Sequence, residues 1–128
     1  MTLSLFRAQA LIALICVGLV GCTSKFDQGY QALEGERYGE ALPIFKELAT
    51  QRGQTSAKIN LGYMYENGFG VRRNLPEAVR GYEMAVAEDV NNAVAHTNLG
   101  FMLLYGRGTR QDPDRASKLF RVAADRGD

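Results

Sequence analysis

The chain has 128 residues, of which 46% are hydrophobic and 23% are charged, and this composition is typical of one ordinary globular domain. Its 15 basic and 14 acidic side chains give a formal net charge of +1, and the basic residues form no cluster. The composition therefore argues against nucleic acid as a partner, because nucleic-acid-binding proteins present a basic patch or stripe.

The first 21 residues have the layout of a secretory signal peptide. One basic residue, Arg7, precedes an uninterrupted apolar run over residues 10–20. The run supplies about half of the roughly 20 apolar residues that a membrane-spanning helix needs, so we expect residues 1–21 to be cleaved. Cleavage would remove Arg7 and Cys16 and leave fourteen basic and fourteen acidic side chains.

The sequence Leu-Val-Gly-Cys at residues 19–22 resembles the bacterial lipobox, in which an aliphatic and a small residue precede a cysteine that becomes lipidated. This resemblance implies lipidation of Cys22, a short tether over residues 22–25 and membrane attachment through acyl chains. Thr23, and not an aspartate, follows the cysteine, which for a double-membraned bacterium implies the periplasmic face of the outer membrane. The alternative is a conventional cleavage site beside an incidental cysteine.

Residues 26–53 are predicted to form a first, degenerate helix pair. Gly29 and Ala32 fall in its first helix, and a polar turn follows at residues 35–39. Pro43 must lie in the first turn of the second helix or kink it. The second helix carries apolar residues at helical spacing, namely Ala41, Phe45, Leu48 and Ala49.

Residues 55–90 return as residues 93–128, because a shift of 38 positions aligns ten identical pairs where chance gives about two. The first helix of each copy is predicted to end at a Gly-x-Gly sequence, residues 68–70 and 106–108, where glycine can adopt the left-handed conformation. These helices carry matching apolar stripes, which are Ala57, Leu61, Met64 and Tyr65 in one copy and Ala95, Leu99, Met102 and Leu103 in the other.

The second helix of each copy is predicted to begin at a capping side chain, Asn74 or Asp112, because a proline and an acid follow each of them. Gly62 is expected to face the position of Ala78, so that the two helices approach closely. The aromatic residue of the second helix is expected to fill the space where the next pair stacks. The residues predicted to be buried are Ala78, Tyr82, Ala85, Val86, Ala116, Phe120, Ala123 and Ala124.

These motifs resemble the Sel1-like repeat, a relative of the tetratricopeptide repeat. Its signature is present here as Leu61-Gly62, Tyr65, Gly68-Phe69-Gly70, Asn74, Ala78 and Tyr82, and the second copy departs from it at Leu103 and Thr109. The resemblance implies an all-α fold, a short right-handed α-solenoid of about three antiparallel helix pairs. Residues 55–90 and 93–128 would be Sel1-like repeats, and residues 26–53 are more similar to a tetratricopeptide repeat.

No catalytic, metal or cofactor site is predicted. The single histidine, His96, aligns with Lys58, which suggests a tolerant position on a helix surface. No nucleophile or acid is evident beside it, and no set of cysteine and histidine ligands remains after cleavage. We therefore expect a protein that is not an enzyme and carries no cofactor.

Helical-repeat solenoids bind partners on the concave surface that the first helix of each pair lines. Tyr30, Tyr63 and Phe101 each follow the marker glycine, and together they would form a row suited to an apolar or extended peptide. The alternative is that these rings pack on one another or on neighbouring helices. By resemblance to tetratricopeptide repeats, the residues expected on this face are Phe26, Tyr30, Ile59, Tyr63, Glu66, Thr97, Phe101, Leu104 and Tyr105.

The last helix suggests a second surface, independent of the concave one. Leu119 and Phe120 lie on the face where a fourth helix pair would stack, and solenoid ends need a cover. A homodimer or a helix of a partner would provide it. The alternative is that these side chains are small enough to be tolerated in water.

The leading hypothesis from the sequence is a membrane-anchored, non-enzymatic scaffold of a bacterial envelope that binds a protein partner. One alternative is a pilotin-like chaperone that assembles an outer-membrane or secretion complex. Another is a protein that binds or processes peptidoglycan, although neither Ser-x-x-Lys nor a pocket of polar groups is evident.

Overall fold

The structure is a computed structural model that describes residues 23–127. The expectations for the signal peptide and for Cys22 therefore lie outside the described residues. Within residues 23–127 there are six helices and no strands, which confirms the predicted all-α class. The helices are α1 (Lys25–Glu34), α2 (Tyr38–Ala49), α3 (Thr55–Asn67), α4 (Leu75–Glu88), α5 (Ala93–Tyr105) and α6 (Pro113–Arg126).

Each helix packs against the next one along the chain, and the contacts are most extensive within the pairs α1/α2, α3/α4 and α5/α6. Two apolar cores result. One joins α1 and α2 to α3 through Ala32, Ala41, Phe45, Leu48, Ala57 and Met64. The other joins α3 and α4 to α5 and α6 through Ile59, Ala78, Val79, Tyr82, Ala85, Ala95, Leu99, Met102, Leu103 and Ala116. Since α3 contributes to both cores, the three pairs form one continuous stack.

The helix ends follow the local chemistry of the sequence. Helices α3 and α5 end at Gly68 and Gly106, whose φ angles of 72° and 62° are left-handed. The side chains of Asn74 and Asp112 cap α4 and α6, accepting from the backbone N–H groups of Glu77 at 3.2 Å and Arg115 at 2.9 Å. These predictions are confirmed.

The close approach of paired helices depends on Gly62 and Gly100. A Cβ atom at Gly62 would lie 2.8 Å from Cε1 of Tyr82, and one at Gly100 would lie 2.6 Å from Cε1 of Phe120. The aromatic residue of the second helix therefore packs over the glycine of its own pair in both repeats. Tyr82 also belongs to the core shared with α5 and α6, as predicted.

Three expectations about the helices need correction. Helix α2 continues through Pro43, which lies in its second turn on an exposed face. Ala124 is exposed. Its counterpart in the preceding repeat, Val86, packs against the core shared with α5, but no described helix packs over Ala124. Lys58 and His96 are buried, with 6% and 4% of their surface exposed, so their shared position is not on the helix surface.

Candidate functional site

The first helices of the three pairs line one groove of about 520 Å³. Helix α1 forms one wall, α3 forms the floor, and the start of α5 forms the opposite wall. The turn after α1 and the loop after α3 close the sides. The lining residues are Tyr30, Leu33, Glu34, Glu36, Tyr38, Ile59, Asn60, Tyr63, Phe69, Val94 and Asn98.

Three of the residues predicted for the concave surface line this groove. Tyr30 and Tyr63 are 44% and 43% exposed, so each presents an aromatic surface to it. Ile59 is only 8% exposed, because its side chain belongs to the core between α3 and α5. Ile59 therefore offers only a small part of its surface to the groove, and its contact with a partner stays a prediction.

Four more of the predicted concave residues lie along α5, beyond the groove. Phe101 and Tyr105 are 46% and 65% exposed and stack on each other, with ring centroids 6.3 Å apart. They share one face of α5 with Val94 and Asn98, at positions i, i+4, i+7 and i+11. Thr97 is half-buried, and Leu104 is half-buried against the core.

The predicted row of rings is divided among the three pairs. Tyr63 meets Phe69 edge-on at 5.6 Å, and Phe69 stacks on Tyr38 at 4.4 Å. Phe26 stacks on Tyr30 at 6.4 Å. In the described part of the chain Tyr30, Tyr63 and Phe101 thus each contact rings of their own surroundings and still keep more than two fifths of their surface exposed.

The groove contains two asparagines that the sequence analysis did not single out as site residues. Asn60 and Asn98 occupy the same position in the two repeats, and both line the groove. Neither side-chain amide has a hydrogen-bond partner within residues 23–127. The signal was present in the sequence, because this pair is one of the ten identities between the copies.

The end of the groove beside α1 is acidic. Glu34 is the last residue of α1, and Glu36 lies in the following turn with a left-handed φ of 58°. Neither carboxylate has an ion-pair partner among residues 23–127, and no basic residue lines the groove. A hydrogen bond to Glu34 raises the pKa of Tyr30, and desolvation, followed by the nearby charge of Glu36, raises that of Tyr38.

Glu66, expected on the concave face, is instead held in a contact between two helix pairs. Its carboxylate accepts from the hydroxyl of Tyr82 at 2.7 Å and pairs with Nη1 of Arg107 at 2.6 Å. Burial and the bond to Glu66 raise the pKa of Tyr82, so its hydroxyl remains protonated and donates. The carboxylate is thus occupied by contacts that stabilise the fold.

Lys58 is buried because a second network satisfies its charge. Its Nζ donates to the backbone oxygen of Gln51 at 2.8 Å and to Glu88 at 2.6 Å. The other oxygen of Glu88 accepts from the backbone N–H of Gly53 at 2.6 Å. The bond from Lys58 lowers the pKa of Glu88. This network holds the linker before α3 against the end of α4.

His96 occupies the equivalent position in the second repeat without a carboxylate beside it. Its Nδ1 lies 2.8 Å from the backbone oxygen of Asn92, which can only accept, so this nitrogen carries the proton. The ring therefore packs against the N-terminal turn of its own helix. No ionisable partner completes a catalytic arrangement around it in the structure described.

The predicted surface on the last helix is in contact with the concave face. Phe120 meets Phe101 edge-on at 5.1 Å, and both Leu119 and Phe120 are half-buried. The two predicted surfaces are therefore contiguous at Phe101, and the expectation that they are independent is wrong.

Two features are absent from residues 23–127. These residues contain no group of three or more histidine, cysteine, aspartate or glutamate side chains placed to hold a metal ion. None of the helices there has the length and apolar character needed to cross a bilayer.

Comparison with known proteins gives consistent matches. The profile of the Sel1 repeat matches residues 55–89 and 93–128. Protein sel-1 homolog 2 of Homo sapiens is 32% identical over 93 residues, which are 72% of this chain and 13% of the human protein. The Rattus norvegicus protein of the same name is 31% identical over 87 residues, which are 68% of this chain and 12% of the rat protein.

Solved structures resemble the whole helical stack. A Sel1 repeat protein from Oxalobacter formigenes has a TM-score of 0.69 and 32% identity, covering 80% of this chain and 41% of that one. A protective antigen from uropathogenic Escherichia coli with an SLR fold has a TM-score of 0.73 and 27% identity, covering 81% of this chain and 22% of the antigen. This chain spans less than half the length of each of these proteins.

Proposed function

This chain belongs to the Sel1-repeat family, and on that premise we propose that it is a non-enzymatic adaptor that binds a protein partner in the groove lined by α1, α3 and α5. One observation carries the proposal. Five of the seven large hydrophobic side chains that are exposed within residues 23–127 lie on these three helices. Exposed apolar surface concentrated on one face commonly marks an interaction site. The five are Tyr30, Tyr63, Val94, Phe101 and Tyr105.

The chemistry of the groove supports a polypeptide as the ligand. Its rings offer apolar contact area, and the free amides of Asn60 and Asn98 can each donate to and accept from a peptide group. The lining reaches from α1 across α3 to α5, so a bound segment can contact all three helix pairs.

We also propose that the adaptor is held at a membrane of a bacterial envelope through Cys22, on the periplasmic side of an outer membrane. This part rests on the sequence around Cys22 and on the preceding apolar run. Radiolabelled palmitate should be incorporated into the chain and lost in Cys22→Ser, which should also leave the membrane pellet after a carbonate wash. A variant that stays in the pellet would end this part of the proposal.

Photo-crosslinking in cells tests the groove. A benzoylphenylalanine residue at Tyr63 should trap a partner, while the same residue at Met84 should not. Met84 is a matched control, because it is 40% exposed, close to the 43% of Tyr63, but lies on α4 outside the groove. Equal trapping at both positions, or trapping at Met84 alone, would refute the groove as the binding site. A trapped subunit of a secretion or outer-membrane complex would favour an assembly chaperone over a scaffold.

A further inference from the structure

We propose that the groove selects an extended partner segment that carries a lysine or arginine, and that Glu34 and Glu36 receive this cation. The inference rests on the proposed function and adds the chemical class of the partner. It depends on the charge of the groove, on the backbone at Glu36 and on the free amides that line the same groove.

The groove carries negative charge that no basic residue of its lining balances. Two carboxylates lie at one end of the groove, and no lysine or arginine lines it. Elsewhere in residues 23–127 glutamates find cations on the protein itself, as Glu40 does with Arg37 at 3.3 Å and Glu66 with Arg107 at 2.6 Å. Glu34 and Glu36 have no such cation, so an incoming one would meet an unneutralised pair of carboxylates.

The rings around these carboxylates suit a cationic side chain. Tyr30, Tyr38 and Tyr63 line the same groove as the two glutamates. An ammonium or guanidinium group gains from the face of an aromatic ring as well as from a carboxylate. An acidic segment would instead face both carboxylates without compensation.

Glu36 has a backbone conformation that is unfavourable for glutamate. Its φ of 58° lies in the left-handed region, which is unfavourable for a residue with a Cβ and free of strain for glycine. The preceding residue is Gly35, so the turn places glutamate, and not glycine, at the strained position. The turn that ends α1 requires the left-handed conformation but no carboxylate, so a charged side chain there agrees with a binding role.

The free amides indicate a polypeptide and not a small organic cation. Asn60 and Asn98 belong to successive repeats and line the same groove as the glutamates. Each amide offers a donor and an acceptor, which is the pattern that a peptide group satisfies. A segment that places its cation between the glutamates can continue over Tyr63 toward α5.

Selection from a random peptide library on the purified full chain, solubilised in detergent, tests the proposal. We expect the selected peptides to be enriched in lysine or arginine beside apolar residues. One selected peptide, and its lysine-to-glutamine analogue, would then be measured by fluorescence anisotropy. The double variant Glu34→Gln with Glu36→Gln should lower the affinity for the lysine peptide about three- to tenfold and leave the affinity for the analogue unchanged. The expected loss is small because each exposed charge pair contributes little free energy.

The matched control is Glu40→Gln with Glu83→Gln, which removes the same charge from α2 and α4 outside the groove. It should leave the affinity within about twofold of the parent. The difference between the two double variants should also shrink between about 0.01 M and about 0.15 M salt, where the Debye length falls from about 30 Å to about 8 Å.

Failure of this inference can be separated from failure of the proposed function. If Tyr63→Ala lowers the affinity for the peptide but neutralising Glu34 and Glu36 does not, the groove binds peptides without selecting a cation. That result overturns this inference and leaves the proposed function standing. If neither Tyr63→Ala nor the glutamate variant has any effect, the groove is not the binding site and both are overturned.

Discussion

Replacement of Gly62 by alanine should destabilise the protein, although alanine favours helix. A Cβ at position 62 would lie 2.8 Å from Cε1 of Tyr82 and 3.2 Å from the backbone oxygen of Ala78. Tyr82 cannot move away easily, because it is fully buried and its hydroxyl is bonded to Glu66. Overpacking of this kind costs about 1–3 kcal/mol, against about 1 kcal/mol gained from helix propensity.

Gly100 has the same position in the second repeat but a more mobile neighbour. The added Cβ would lie 2.6 Å from Cε1 of Phe120, whose ring is half-buried and has no hydroxyl to anchor it. The ring can turn outward, so we expect Gly100→Ala to be within about 1 kcal/mol of the parent. Gly39 is the control, because no atom lies within 4 Å of its added Cβ, and alanine there should stabilise α2 by about 0.5–1 kcal/mol.

Thermal melting followed by circular dichroism should place the variants in the order Gly39→Ala, Gly100→Ala, Gly62→Ala from most to least stable. At about 4–8 °C per kcal/mol, the first and last should differ by roughly 10 °C. If Gly62→Ala has the same melting temperature as Gly39→Ala, Gly62 is not at a helix contact. If Gly100→Ala loses as much as Gly62→Ala, the argument from the mobility of the ring is wrong.

Two further predictions concern single glutamates. Because its bond to Lys58 lowers the pKa of Glu88, this carboxylate stabilises the fold above the unfolded-state pKa of about 4.3, and its contribution is lost as pH falls through the folded-state pKa. The urea midpoint of the parent should therefore fall more between neutral and acid pH than that of Glu88→Gln, and parallel curves would contradict this. Glu36→Gly should raise the free energy of unfolding by about 0.5–1 kcal/mol, because glycine adopts the left-handed backbone without strain, and it should lower the affinity for the peptide. A lower free energy of unfolding in chemical denaturation would show that the turn needs the glutamate.

The sequence was sufficient for the parts of the fold that local chemistry decides. The glycines that end α3 and α5 and the caps of α4 and α6 depend on backbone groups within a few residues of each side chain. The burial of Lys58 depends on Glu88, thirty positions later, and on a backbone oxygen in the preceding linker. Helical periodicity alone treats a lysine as exposed, so this contact could not be predicted from the pattern.

Only some of the residues that line the groove could be predicted from the sequence. Tyr30 and Tyr63 were placed by their register after a glycine, which the repeat supplies. Ile59 has a similar register but is covered by α5, and its burial depends on how closely successive pairs stack. Glu34 and Glu36 belong to the first pair, which has no counterpart in the 38-residue repeat. Glu34 shares the face of Tyr30 at i+4, whereas Glu36 reaches the groove only through the direction of the turn after α1.

The two repeats differ at coupled positions, and this gives a test of why Glu66 is present. Glu66 and Tyr82 form a hydrogen bond, whereas the equivalent residues Leu104 and Phe120 are both apolar. Glu66→Leu alone should cost about 1–3 kcal/mol, because it leaves a buried hydroxyl without a partner, and Arg107 can turn to water since it is 37% exposed.

Adding Tyr82→Phe removes that orphaned hydroxyl, so the double variant should lose at least about 1 kcal/mol less than the sum of the two single variants. Urea unfolding of all four proteins in a double-mutant cycle measures this coupling. If the two losses add within about 0.5 kcal/mol, the carboxylate does not act through the hydroxyl. Its role would then lie with Arg107, at the contact between the second and third helix pairs.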